Sequence, residues 1–352
     1  ALSNRNLIIN GAMQVAQRST SETGETASGY HTMDRWKIDL NSLGTWSFSQ
    51  SSTAPDGFAN SYKLDCTTAD ASPAAGDFLI LQQRFEGQNL QMLKKGTSAA
   101  ESVTVSFSIR SSVTGTYTCE LYDDDNVRYI GKTFTVDAAD TWERKTITFP
   151  GDTTGTLNND NGLSFFCQIW FGAGSNFNGG TFNDGTWGAG GNNTRVSSSN
   201  VNLASSTSNE AYVTGWQMEV GEQATPFEHR SYGDELARCQ RYFQAITTDG
   251  HQIMRGATAT TYSAAHMQST FHFPAPMRVA PTLTNATGNS TITANGRDTG
   301  YSGVSDYELV PQSAGAEGYR WYYSQANNSS TSLPTSVAFL LVSDDLHADA
   351  EL

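Results

Sequence analysis

Six acidic side chains stand where a glycosidase could use them: Glu86, Asp123, Asp124, Asp125, Asp160 and Asp184. Such an enzyme needs two carboxyl groups flanking the scissile bond, about 5–9.5 Å apart. Most of the six fall in turn-like clusters, where Asp side chains bond local backbone or stay solvated. With 35 acidic residues in the chain, pairs also arise by chance. We read no catalytic dyad, and the chain is not expected to be an enzyme. A nucleophilic triad has less support: there is no Gly-x-Ser-x-Gly elbow, and His31, His229, His251, His266, His272 and His347 are scattered. No phosphate loop ending in Gly-Lys-Ser/Thr occurs. The run from Asp123 to Asn126 offers hard oxygens to Ca2+ but lacks the ligand spacing of an EF-hand. Asp123 and Asp125 are therefore candidate ligands for a structural Ca2+, with a solvated acidic turn as the alternative. No other cofactor is expected.

Sugar binding asks for different chemistry. Aromatic faces stack on the apolar faces of pyranose rings, and Asn, Gln, Asp and Arg bond the hydroxyls. Trp187, Trp170, Tyr117 and Tyr122 are the candidates by position on or beside central strands. Trp36, Trp142, Trp170 and Trp216 lie amid strand patterns, where aromatics are more often core. Trp187 alone has no evident core partner and is the first choice.

The whole chain must position these residues. It has 352 residues, 79 of them Ser or Thr, only 16% charged, with a net charge of −14. Hydrophobics at 37% and aromatics at 11% suffice for a packed core. The acidic balance argues against nucleic acid, which needs clustered Lys and Arg. The longest apolar run, 337–342, is far too short to cross a membrane as a helix. The N-terminus has no apolar core of a signal peptide. Cys66, Cys119, Cys167 and Cys239 are far apart with no CxxC, and buried thiols are expected.

Strand signals dominate. Residues 103–110 alternate, with Val103, Val105, Phe107 and Ile109 inward and Thr104, Ser106 and Ser108 outward. Residues 117–121 repeat the pattern with Tyr117, Cys119 and Leu121 inward; 62–66, 78–85, 134–136, 142–149, 163–171 and 212–220 are further strands. Short strands divided by polar turns imply an all-β fold, a jelly-roll β-sandwich. Leu236, Cys239, Phe243 and Ile246 then fall at helical spacing, with Asp234 as N-cap. The expected domains are 1–230, with an N-terminal arm over about 1–35, a linking helix over 231–248, and a smaller C-terminal β-sandwich-like domain over 249–352. Residues 172–191 hold eight Gly interleaved with Phe177, Phe182 and Trp187. A loop of that kind packs on its own sheet, on another subunit or further protein, or on a ligand.

Three stretches carry a resemblance. The opening Asn6-Leu-Ile-Ile-Asn-Gly-Ala-Met-Gln-Val-Ala-Gln-Arg, followed by Met33-Asp-Arg-Trp-Lys, resembles the start of phage tail-fibre and related virion proteins. The run from Gly215-Trp-Gln-Met-Glu-Val through Asp234-Glu-Leu-Ala-Arg-Cys-Gln-Arg-Tyr-Phe resembles their junction between a carbohydrate-binding-module-like jelly roll and a C-terminal domain. Residues 271–283 and the terminal Ala348-Asp-Ala-Glu-Leu are similar to the same family. The resemblance implies a homo-oligomer, a trimer, on the virion exterior, contacting other virion proteins and host surface glycan as tail fibre or receptor-binding tip. No collagen-like repeat or long shaft is present. A capsid or neck decoration protein with a structural role is therefore a second reading, and a glycan depolymerase a third.

Overall fold

The computed structural model describes residues 4–245 continuously, and beyond them 252–253, 260–263, 266–285, 292–295, 307–315, 318–325, 339–342 and 346–352. The chain divides into two compact units: residues 1–235 with Leu352, and residues 236–351.

The first unit is a jelly-roll β-sandwich of eleven strands: β1 (Ser21–Gly29), β2 (Lys37–Ser51), β3 (Ser61–Thr68), β4 (Phe78–Glu86), β5 (Val103–Ser111), β6 (Gly115–Asp123), β7 (Arg128–Val136), β8 (Glu143–Phe149), β9 (Leu163–Ala173), β10 (Gly188–Ala189) and β11 (Glu210–Val220). The two layers share β2. Its first half pairs with β4 and its second half, from Thr45, with β3. Between the halves Ser42, at φ 52°, and Gly44, at φ 74°, turn the strand. One layer thus runs β10-β7-β6-β9-β4-β2 and the other β2-β3-β11-β5-β8. Leu81, Leu121 and Ile169 from the first meet Leu64, Phe107 and Trp216 from the second in one fully buried core.

Period 2 places the inward residues of β5 and β6 as the sequence suggests. The hydroxyls of β5 face away from this core but are not solvated. Thr104 Oγ1 donates to the Gly221 carbonyl at 2.7 Å, and Ser106 Oγ accepts from Arg144 Nη2 at 2.9 Å.

The N-terminal segment is no loose arm. Leu7 N donates to Met218 O at 2.8 Å and Trp216 N to Gly11 O at 3.0 Å. The buried Asn10 side chain accepts from Gln14 N and Val15 N and donates to Val15 O and Asp34 O. Glu228 accepts from Asn4 N and Asn6 N, and Arg230 Nη1 donates to Ile8 O. Two of the stretches that carry the family resemblance therefore bind each other, closing the sandwich.

The helix expected over 231–248 is the shorter α2, Tyr232–Gln240 (a four-residue α1 precedes it at Ser175–Asn178). Its cap is Ser231 rather than Asp234: Ser231 Oγ accepts from Asp234 N at 3.2 Å and donates to Asp234 Oδ2 at 2.6 Å, a reciprocal arrangement of the capping-box kind. Phe243 leaves the helix because Phe243–Ala245 pairs with Leu346–Asp349, which satisfies its backbone in a sheet instead. Ile246 lies outside the described residues. In the second unit these two strands join Thr282–Asn285. Gln252–Ile253, Phe339–Val342 and Ile292–Asn295 make another small sheet, and Thr260–Ser263, His266–His272, Gly318–Gln325 and Tyr307–Gly315 a four-stranded one.

Candidate functional site: the outer face of one sheet

Strand parity turns every second residue of β4, β6, β7 and β9 away from the main core. Register then lines these residues up in rows. Tyr129, Tyr122, Phe166 and Arg84 form one row across β7, β6, β9 and β4. Gly131, Glu120, Gln168, Gln82 and, on β2, Lys37 form the next. Thr118, Trp170, Ile80 and Asp39 belong to the third.

The first row is aromatic with a cation at its end. Tyr122 and Tyr129 stack at 6.3 Å with rings 2° apart, and Tyr122 meets Phe166 at 5.3 Å. The Arg84 guanidinium lies 5.0 Å from the Phe166 centroid, with Nη1 donating to Leu352 O at 3.0 Å. Tyr122, Arg84, Lys37 and Asp39 are each partly exposed, while Tyr129 and Trp170 are buried. Burial and the neighbouring Arg84 hold the Lys37 ammonium below its usual range, with Asp39 opposing. Burial raises the Tyr122 hydroxyl, with Arg195 opposing.

The second row is locked from above by Arg195. Its guanidinium pairs bidentately with the fully buried Glu120, Nε to Oε1 and Nη2 to Oε2, both at 2.9 Å. Trp170 Nε1 also donates to Glu120 Oε2 at 2.9 Å, and Gln168 Nε2 to the same oxygen. The same guanidinium lies over the rings of Tyr122, at 4.6 Å, and Trp170, at 5.1 Å. Burial alone would lower Arg195; the charge and hydrogen bonds of Glu120, with Tyr122 and Tyr129, together outweigh it and raise the group.

Arg195 lies just past the glycine-rich residues 172–191, in the same long connection between β9 and β11, which packs on its own sheet. Phe177 and Val196 cover Trp170. Gly185 N donates to Gly131 O at 2.8 Å, β10 pairs with β7, and Tyr129 Oη donates to Gly191 O at 2.8 Å.

The four aromatics singled out from sequence therefore separate. Tyr122 and Trp170 share this face, joined through Arg195. Tyr117 is in the main core, stacked on Phe134 at 5.5 Å, with its hydroxyl donating to Val113 O at 2.7 Å, so it has no face to offer a ligand. Trp187 has the partner the sequence did not reveal. Its Nε1 donates to Pro150 O at 2.7 Å, and its ring covers Lys95 Nζ at 5.2 Å.

Beneath Trp187 the Lys95 ammonium binds Asp123 and, at 3.0 Å, Asp152, which also pairs with Arg128. Both Asp123 oxygens also accept from Asn126, and Asp125 accepts from Asn158 N and Nδ2. The proposed calcium ligands are thus taken by protein donors, with an ammonium beside Asp123. Glu86 accepts from Gln88 and Asp160 from Gly162 N. Asp124 is exposed beside Tyr122 and Arg84.

Sequence reasoning missed Phe166, Arg84, Glu120 and Arg195. For the first three the signal was available: they have the parity opposite to Leu121, Cys167 and Leu81. Arg195 comes from a loop without periodicity. The outer face of the other layer carries a smaller cluster, Tyr212 flanked by Trp142, Arg110 and Lys63, whose cations are paired with Glu210 and Asp140.

No family model matches the chain, and no curated protein matches it. Solved structures overlap it loosely. The enzymatically active domain of tailspike protein 4 from bacteriophage CBA120 has 10% identity and TM-score 0.30 over 61% of this chain, but only 21% of its own. A family 11 carbohydrate-binding module from Clostridium thermocellum, in complex with a mixed-linked tetrasaccharide, has 11% identity and TM-score 0.27, covering 59% of this chain and 98% of its own. A xylan-binding domain from Paenibacillus barcinonensis has 9% identity and TM-score 0.27, covering 58% and 94%.

Proposed function

We propose that the jelly-roll unit is a non-catalytic glycan-binding module whose contact surface is the outer-face row at Tyr122 and Arg84, with the buried Phe166 ring packed between them. The observation that carries this is the row itself: aromatic faces held in register, partly open to solvent at Tyr122, and bordered by Arg84, Lys37, Asp39 and Asp124, which can bond sugar hydroxyls. Rigid amphipathic rings give contact area at little entropic cost. Arg195, paired with Glu120, lies over the Tyr122 and Trp170 rings and holds them in place, so little ordering remains to be done on binding.

The finer reading is a phage virion exterior protein, a tail fibre or receptor-binding tip engaging host glycan. The resemblance of residues 6–18 and 215–243 supports it. A single site of this size binds weakly, and several copies in one assembly make attachment firm, since linked sites gain about 10²–10⁴ in apparent affinity. One observation favours a structural role on the capsid or neck instead: the long loop already covers Trp170 with Phe177 and Val196 and takes the Tyr129 hydroxyl on the Gly191 carbonyl.

A glycan array probed with wild-type protein, Tyr122→Ala and Trp142→Ala tests the proposal. Wild-type signal on a definite glycan class, lost in Tyr122→Ala and kept in Trp142→Ala, is the expected result. Absence of signal from all three leaves the structural role. Loss in Trp142→Ala alone moves the site to the other layer.

A further inference from the structure

β1 is a polar edge strand, yet it is folded around one buried histidine. His31 is 7% exposed, and its ring stacks on Phe48 at 5.0 Å. Gly29 leaves room for it, since a Cβ there would come within 3.2 Å of the ring. Nδ1 lies 2.9 Å from Glu22 Oε2 and 3.4 Å from Glu25 Oε2. Nε2 lies 3.3 Å from the Ala27 carbonyl.

In a regular strand Glu22 and Glu25 would point to opposite faces. Here the register of β1 on β2 shifts between Thr23 and Glu25, around Gly24 at φ 79°. A bulge with a left-handed glycine re-aims the following side chain, and it turns Glu25 to the side of Glu22. The bulge therefore serves to bring two carboxylates to one imidazole nitrogen.

A carbonyl only accepts, so Ala27 O marks Nε2 as the N–H side of the ring. Nδ1 is left facing two carboxylate oxygens, and something positive belongs between them: a proton or a metal ion. The two spacings from Nδ1 suit the ion, and all three ligand atoms lie within 4.8 Å of one another. Ligands at about 2.0–2.2 Å from one Zn2+ are about 2.9–3.5 Å apart at tetrahedral or octahedral angles. A ligating histidine also commonly donates its other ring N–H to a backbone carbonyl, which fixes the ring.

We propose that His31 Nδ1, Glu22 and Glu25 bind a divalent transition-metal ion of the Zn2+ class, water completing its shell. Imidazole with carboxylates suits such ions. The ion displaces the proton between Nδ1 and Glu22 and fastens β1 to β2. This site is separate from the proposed glycan surface and does not depend on it.

The test is calorimetric titration of chelator-treated full-length protein with Zn2+, alongside the visible spectrum of the Co2+-loaded protein. One equivalent per chain is expected, weakened about tenfold or more in Glu25→Gln and in His31→Gln, and unchanged in His229→Gln. Glu25 is on an edge strand, so its variant keeps the test decisive if His31→Gln does not fold. Absence of binding, or Glu25→Gln binding like wild type, overturns the proposal and leaves a proton in the gap.

Discussion

Glu120 accepts from Arg195 through both oxygens and from Trp170 and Gln168 besides, in a place no water reaches. Removing one charge of a buried pair strands the other. Glu120→Gln is expected to cost about 3–5 kcal/mol of unfolding free energy in urea denaturation, and to weaken ligand binding because the guanidinium that lies over the Tyr122 ring loses the charge that fixes it. An unchanged urea midpoint would show that Arg195 finds another partner. At this scale parity decides what was legible. Tyr117 has the parity of Cys119 and Leu121, so its place in the core follows from the alternation alone. Tyr122 has the opposite parity and Trp170 the parity of Gln168, and both reach the outer face. Trp187 sits in a loop where no period applies, and its packing on the main core beside Phe165, with its contacts to Pro150 and Lys95, explains it.

Among the elements of the first unit, the eight strands read from sequence are present, while β1, β2 and the two-residue β10 were hidden. β1 is nearly all polar because it is an exposed edge. In β2 the alternation of Ile38 and Leu40 is broken at Leu43 and taken up again only at Trp46 and Phe48, since the strand bends between layers. The family-like stretches signalled closure of the sandwich rather than a binding site. Gly11 shows how tightly: a Cβ there would meet Trp216 O at 2.1 Å. Gly11→Ala is expected to lower stability by about 2–3 kcal/mol, an overpacking cost, measured by urea midpoint; a shift under a quarter of that would mean the segment moves aside freely.

The ion cluster under Trp187 sets a pH dependence. Burial tends to raise the Asp152 carboxyl, but hydrogen bonds from Arg128, Lys95 and Thr154 N together hold it below its usual range. A carboxyl lowered on folding stabilises above the unfolded value and loses that contribution as pH falls through the folded one. Asp152→Asn is therefore expected to be less stable than wild type at neutral pH. Its melting temperature should fall less steeply below about pH 4. Parallel melting curves across that range would exclude Asp152 as a contributor.

For the molecule as a whole, the all-β character and the sandwich follow from strand spacing and composition. The use of one outer face does not, because it depends on which loop folds over which sheet. The net charge of −14 and the many hydroxyls suit an exterior surface. In the virion reading the protein is a trimer in solution, with a mass by light scattering three times the 38.0 kDa of the chain; a monomer at micromolar concentration would remove the avidity on which firm attachment rests. Glycan binding by the outer-face row is decided by affinity for the best glycan on the array, measured with wild-type protein and with Tyr122→Ala, both checked by melting temperature. A loss of about tenfold or more, about 1.4 kcal/mol, with the fold intact supports the account. Equal affinities would contradict it.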